Sequence, residues 1–112
     1  MSRSGSSSLA AGRIVHIDVG PTLADGLSGN LDPETITFDI VRRLGIRMAT
    51  VNEDQLRSAM AGVVREERLV VEAAGAAGVA AVIGHAVPVR GRRTAVVLSG
   101  ANIDAAVLAS LI

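Results

Sequence analysis

Short β-branched apolar runs that feed a turn and then a helical pattern recur along this chain, and that alternation constrains its fold most. The clearest case is residues 94–112, TAVVLSGANIDAAVLASLI. Ala95-Val96-Val97-Leu98 has the length and branching of a buried strand. It runs into Ser99-Gly100-Ala101-Asn102, and a helical pattern begins near Asp104. Open α/β sheets present ligand-binding groups in this way, at the C-terminal ends of strands that enter small-residue turns and helices.

The same grammar runs upstream. Residues 1–8 are serine-rich and read as a loose N-terminal segment. Ser8-Leu9-Ala10-Ala11-Gly12 looks like a last helical turn stopped by Gly12, a helix tail with no helix before it, which suggests that something upstream is missing. Arg13-Ile14-Val15-His16-Ile17 reads as a strand, and residues 20–30 as a loop. Asp32-Pro33-Glu34 predicts a helix start, with Ile36, Ile40 and Leu44 forming an apolar face joined by Val41, and Gly45 as the stop. Residues 46–51 read as a strand. Asn52 then caps a helix, with Gln55 placed for a capping box and Leu56, Met60, Val63 and Val64 inward, ending near Arg68. Residues 69–71 connect to Glu72, residues 73–83 form a tightly packed Gly/Ala helix, and residues 85–93 a turn region. The expected class is α/β: a partly parallel sheet flanked by helices.

At 112 residues the chain is one domain or part of one. Hydrophobic residues make up 49% and aromatics only 1%, so the core is thin and alanine favours close helix packing. A formal net charge of zero gives no electrostatic case for nucleic acid or an anionic membrane. Residues 73–83 are too short for a bilayer span, which needs about 20. The absence of cysteine excludes disulfides and thiolate metal sites and fits a cytoplasmic setting. All eleven basic residues are arginine, so the chain contains no lysine.

Several constellations carry chemistry, each beside a plainer reading. The Ser99 hydroxyl can donate or accept a hydrogen bond at a strand end. Equally, Ser99 or Asn102 could simply cap the last helix. Glu72, between apolar residues and a Gly/Ala helix, is costly to bury unless partnered, yet as an N-terminal acid it suits the helix dipole. In Thr22-Leu23-Ala24-Asp25-Gly26, the glycine allows a ligand close to the backbone, but Asp-Gly is also an ordinary turn. Gly75-x-x-Gly78 lacks the other glycines of a nucleotide fingerprint. His16 and His85 have no partner at ligand spacing, and Arg90, Arg92 and Arg93 read as a solvated turn.

In combination these segments are more specific. Thr22-Leu23-Ala24-Asp25-Gly26, Thr37-Phe38-Asp39-Ile40-Val41-Arg42, Thr50-Val51-Asn52-Glu53-Asp54, Val71-Glu72-Ala73-Ala74-Gly75-Ala76 and Val97-Leu98-Ser99-Gly100-Ala101-Asn102-Ile103-Asp104 occur in that order. The chain thereby resembles, over residues 9–112, the C-terminal part of the catalytic domain of threonine dehydratases and serine racemases. These are fold-type II enzymes that use pyridoxal phosphate (PLP). The resemblance implies a cofactor-binding set of Ser99, Gly26, Glu72, Gly100 and Asn102. Ser99 matches the family serine that bonds the pyridine nitrogen, Gly26 the glycine beside the cofactor, and Glu72 a glutamate near the ring. Ala101 stands where the family has a second glycine, which adds a methyl beside the ring.

A serine hydroxyl suits a neutral pyridine nitrogen and makes the cofactor a milder electron sink than a carboxylate would. That fits α-proton removal with prompt loss of a β-hydroxyl, giving a keto acid and ammonia. The family's PLP-bearing lysine, glycine-rich phosphate loop and metal site all lie upstream of the matched region, so no catalytic or metal-binding residue is assigned in this chain. The expectation is a fragment or split subunit of a threonine/serine dehydratase, inactive alone. Its partners would be an N-terminal catalytic portion or a second copy, and a small hydroxy-amino acid such as threonine, serine or hydroxyaspartate. The alternative is a non-catalytic α/β interaction or small-molecule module.

Overall fold

The computed structural model describes residues 3–112, in two compact units: residues 3–21 with Leu27–Thr50, and Thr22–Gly26 with Val51–Ile112.

The first unit packs α1 (Arg3–Ala11) against α2 (Ile36–Arg43). Gly12 stops α1 as its sequence predicts, with φ +69° and a bond from the Arg13 N–H back to the Ser8 carbonyl. The helix itself begins within the serine-rich stretch expected to be loose. Its serines explain why: Ser4 and Ser8 are fully buried, and each hydroxyl answers a backbone group. Ser4 donates to the Gly29 carbonyl at 2.7 Å, and the Ser8 hydroxyl accepts from the Val15 N–H at 3.0 Å. Buried hydroxyls are tolerated when they are bonded in this way.

α2 starts three residues later than Asp32-Pro33-Glu34 predicts. The Asp32 carboxylate instead accepts from the Glu34 N–H at 2.8 Å, closing a local turn, and Thr35 becomes the N-cap. Phe38 and Val41 are the buried residues of α2, while the expected face of Ile36, Ile40 and Leu44 stays exposed. Arg42 stacks 5.7 Å from the Phe38 ring centroid and donates to the Gly12 carbonyl, tying α2 to the end of α1.

The second unit is built on α3 (Glu53–Gly62) and α4 (Ala73–Ile83). Asn52 and Gln55 form the expected capping box, and a π-helical turn, Val63–Glu67, carries α3 on to Arg68. Arg68 ends it in the left-handed region with φ 59°. Leu56, Ala59 and Met60 of α3 and Ala73, Ala76 and Ala80 of α4 are buried as the two helices pack. Alanine on α4 lets the helices approach closely, and burying a side chain such as Met60 contributes about 1.5–3 kcal/mol. His85, at φ 56°, closes α4 in the same left-handed region. A short α5 (Ala105–Ala109) follows the Asp104 cap.

Among the described residues no strand forms, so the expected sheet is absent from this structure. A strand needs a neighbour that exchanges hydrogen bonds along its length. Residues 13–17, 46–51, 69–71 and 95–98 have no such ladder. Their side chains agree: Val97 is 80% exposed, and Val96 and Leu98 are also open to solvent. Among the described residues no helix is long and apolar enough to cross a membrane.

Candidate functional site

The first turn of α4 is the meeting point of the second unit. Glu72 occupies its N-cap position but makes no side-chain capping bond. Its N–H donates to the Gly100 carbonyl at 3.0 Å, which brings the turn after residues 95–98 onto the helix start. The approach is close enough to exclude side chains. A Cβ at Gly75 would overlap the Ser99 carbonyl oxygen, and one at Gly100 would overlap the Glu72 carboxylate. Gly100 also has φ +75°, where any side chain is strained. Ala101 is not among the residues with positive φ, so its methyl carries no such penalty.

The Thr22–Gly26 segment reaches the same place. A Cβ on Gly26 would stand 3.3 Å from the Ala74 Cβ. Ala24 is buried, whereas Asp25 and Gly26 remain exposed within a short 3-10 turn, Asp25–Leu27. Segments separated by about 50 residues and by about 25 residues in the sequence therefore converge on Glu72, Ala73, Ala74 and Gly75.

Of the five expected cofactor-binding residues, the structure gathers Gly26, Glu72, Ser99 and Gly100 around this turn. Asn102 follows two residues on and is exposed, with no hydrogen bond to another described residue. The capping alternative for Ser99 and Asn102 falls away, because Asp104 caps α5 by accepting from the Ala106 N–H at 2.7 Å. The exposed Ser99 hydroxyl likewise has no hydrogen-bond partner among the described residues. A hollow of about 300 Å3 elsewhere in the unit, lined by Asn52, Asp54, Gln55, Ser58, Ile83 and Gly84, contains none of these residues.

One residue of this neighbourhood was not singled out as a site residue in the sequence. Glu53, the first residue of α3, accepts from the Thr22 hydroxyl and from the Leu23 N–H at 2.8 Å. These two bonds, with a smaller contribution from Arg57, hold its carboxyl below the ordinary value of 4.5. In sequence it stands within Thr50-Val51-Asn52-Glu53-Asp54, one of the ordered segments, with no role of its own attached. Nothing in its spacing from Thr22 announces the bond.

The donor set fits one side of PLP. A neutral hydroxyl at Ser99 can bond a pyridine nitrogen, and no cationic side chain competes for it among the residues of the turn. Gly75 and Gly100 let the Ser99-Gly100 turn close onto the start of α4, and the exposed Gly26 leaves backbone without a Cβ at its edge, where a flat ring could approach. Glu72 supplies a carboxylate at the edge.

A family profile described as pyridoxal-phosphate dependent enzyme matches residues 2–100. L-threonine ammonia-lyase from Thermotoga maritima is 39% identical over 98 residues, covering 88% of this chain and 24% of that protein. L-threo-3-hydroxyaspartate ammonia-lyase from Pseudomonas sp is 34% identical over 112 residues, covering 96% of this chain and 34% of that protein. Among solved structures, maize serine racemase superposes with a TM-score of 0.82 at 26% identity, covering 97% of this chain and 34% of that one. A threonine deaminase from T.th. gives 0.71 at 33% identity, covering 92% and 37%. The chain thus spans between 24% and 34% of the length of these two sequence relatives. With the profile matched over nearly its whole length, the chain belongs to the pyridoxal-phosphate dependent enzyme family.

Proposed function

We propose that this chain supplies the pyridine-nitrogen side of the PLP site in a threonine/serine ammonia-lyase, working with a lysine-bearing N-terminal portion. The observation that carries the reading is the convergence of Gly26, Glu72, Ser99 and Gly100 on the first turn of α4. Residues 9–112 form the contributed part. The exposed apolar residues 96–98 support a sheet completed by that N-terminal portion, with which they would pair in parallel.

PLP supplies the electron sink for α-proton loss. The Ser99 hydroxyl would donate to a neutral ring nitrogen, which would keep that sink mild. Gly26 would give the ring room against the backbone, Asn102 would bond at the rim, Gly100 lets the Glu72 carboxylate lie against the turn, and Glu72 fixes that Ser99-Gly100 turn through its own N–H. With no lysine in the chain, the covalent anchor for the cofactor comes from the partner portion. The substrate would be a small hydroxy-amino acid, as the names of the ammonia-lyase relatives indicate, and the lack of cysteine fits a cytoplasmic setting.

The test mixes the purified chain with the N-terminal portion of a threonine ammonia-lyase and PLP, then assays keto-acid release from threonine, serine and hydroxyaspartate. Release by the mixture and by neither part alone is expected. Borohydride should trap PLP on the N-terminal portion only. No release with any of the three substrates would favour the non-catalytic α/β module instead.

A further inference from the structure

We infer that Glu53 is a positioning residue that clamps the Thr22–Gly26 loop and so sets Gly26 against the first turn of α4. The carboxylate is bidentate across the loop: one oxygen accepts from the Thr22 hydroxyl and the other from the Leu23 N–H at 2.8 Å. Thr22 passes the constraint on, because its hydroxyl also accepts from the Ala24 N–H at 3.1 Å. Ala24 is then buried at 5% exposure, and two residues later Gly26 meets Ala74. Hydrogen bonds to a charged acceptor are the strong ones, and here both fall on consecutive residues of an otherwise short loop.

The base of the clamp is rigid. Glu53 opens α3, which is fixed by its capping box and by the buried Leu56, Ala59 and Met60 packed against α4. α4 carries both Ala74 and Glu72. Glu53 therefore ties Gly26 and Glu72 to one helical frame without touching either. That Gly26 borders the cofactor rests on the function proposed above; that Glu53 holds the loop does not.

Amide hydrogen exchange on the full chain separates the two. In Glu53→Ala and in Thr22→Val, the Leu23 and Ala24 amides should exchange about tenfold faster or more, while the buried turns of α3 and α4 keep their protection. Asp54→Asn, which alters the same first turn of α3 but bonds no loop residue, should leave the loop unchanged. Glu53→Gln keeps one acceptor and should restore part of the protection. If Glu53→Ala loosens the whole unit, Thr22→Val decides, since it leaves α3 intact. Wild-type loop exchange in both Glu53→Ala and Thr22→Val overturns the clamp.

In the chain reconstituted with an N-terminal portion, Glu53→Ala should weaken PLP binding and Glu53→Gln partly rescue it. Unchanged PLP affinity in Glu53→Ala would overturn the positioning of Gly26. Failure of the wild-type mixture to bind PLP would instead overturn the proposed function and leave the clamp to the exchange result.

Discussion

At the scale of single residues, Gly75, Gly100 and Ala101 differ in what they tolerate, and the differences are measurable. Gly75→Ala drives a methyl into the Ser99 carbonyl, a backbone atom that cannot move without shifting the turn. Overpacking of this kind costs about 1–3 kcal/mol. Gly100→Ala adds the strain of φ +75° to an overlap with the Glu72 carboxylate, so a loss of about 1–3 kcal/mol is expected there too. Ala101→Gly relieves nothing in the folded chain and should cost only about 0.4–1 kcal/mol through the freer unfolded state. Urea unfolding of the three variants gives the order.

Glu53 adds a pH dependence. Its carboxyl is depressed, first by the Thr22 hydroxyl and then by the Leu23 N–H. A depressed carboxylate stabilises the fold above its ordinary value of 4.5 and loses that contribution as pH falls through the lower folded value. Stability of the wild-type chain should therefore fall on acidification below about pH 4.5, and Glu53→Gln should show a flatter acid limb. An equally steep limb in Glu53→Gln would remove the assignment. Glu53 is exposed, so salt should reduce the effect.

At the scale of elements, what the sequence disclosed depended on how local each signal was. The capping box of α3, the limits of α4 at Ala73–Ile83 and the Gly12 and Gly45 stops follow from short-range chemistry, and they stand where that chemistry puts them. The start of α2 shows the limit of such rules. Asp32 and Pro33 satisfy a helix start and a turn equally, and the choice went to the turn because Thr35 offered a second cap. α1 was legible only at its end, since nothing in a run of serines reveals that two of them bury and bond distant backbone. The three apolar segments at residues 13–17, 46–51 and 95–98 were read as strands from branching and length. Those signals report a preference for a pleated, half-buried surface, and only a neighbouring strand converts preference into structure. The site followed the same division: Gly26, Glu72, Ser99 and Gly100 were legible through ordered motifs, while Glu53 depends on a tertiary contact. The helix pair makes its own prediction. Met60→Ala should cost about 2–5 kcal/mol, because Met60 is 2% exposed between α3 and α4, whereas Ile36→Ala at 74% exposure should cost under about 1 kcal/mol.

At the scale of the whole molecule, the chain leaves much apolar surface uncovered. Ile36, Leu44, Val97 and Ile112 are each at least 65% exposed. Unpaired strand-like segments and open aliphatic side chains attract their own kind. The isolated chain should therefore self-associate, as light scattering over a concentration series will show, and the N-terminal portion of a threonine ammonia-lyase should suppress that association. A monomer at all concentrations would contradict the proposed incompleteness of the sheet.

The central claim concerns one atom of Ser99 and one of the cofactor, so the most direct measurement reads the cofactor atom. PLP isotopically labelled at its ring nitrogen, bound to the chain reconstituted with the N-terminal portion, reports by NMR whether that nitrogen is neutral and hydrogen-bonded. The account predicts a neutral nitrogen in the wild type, a changed shift in Ser99→Ala and a protonated nitrogen in Ser99→Asp. An identical nitrogen shift in all three proteins would contradict it.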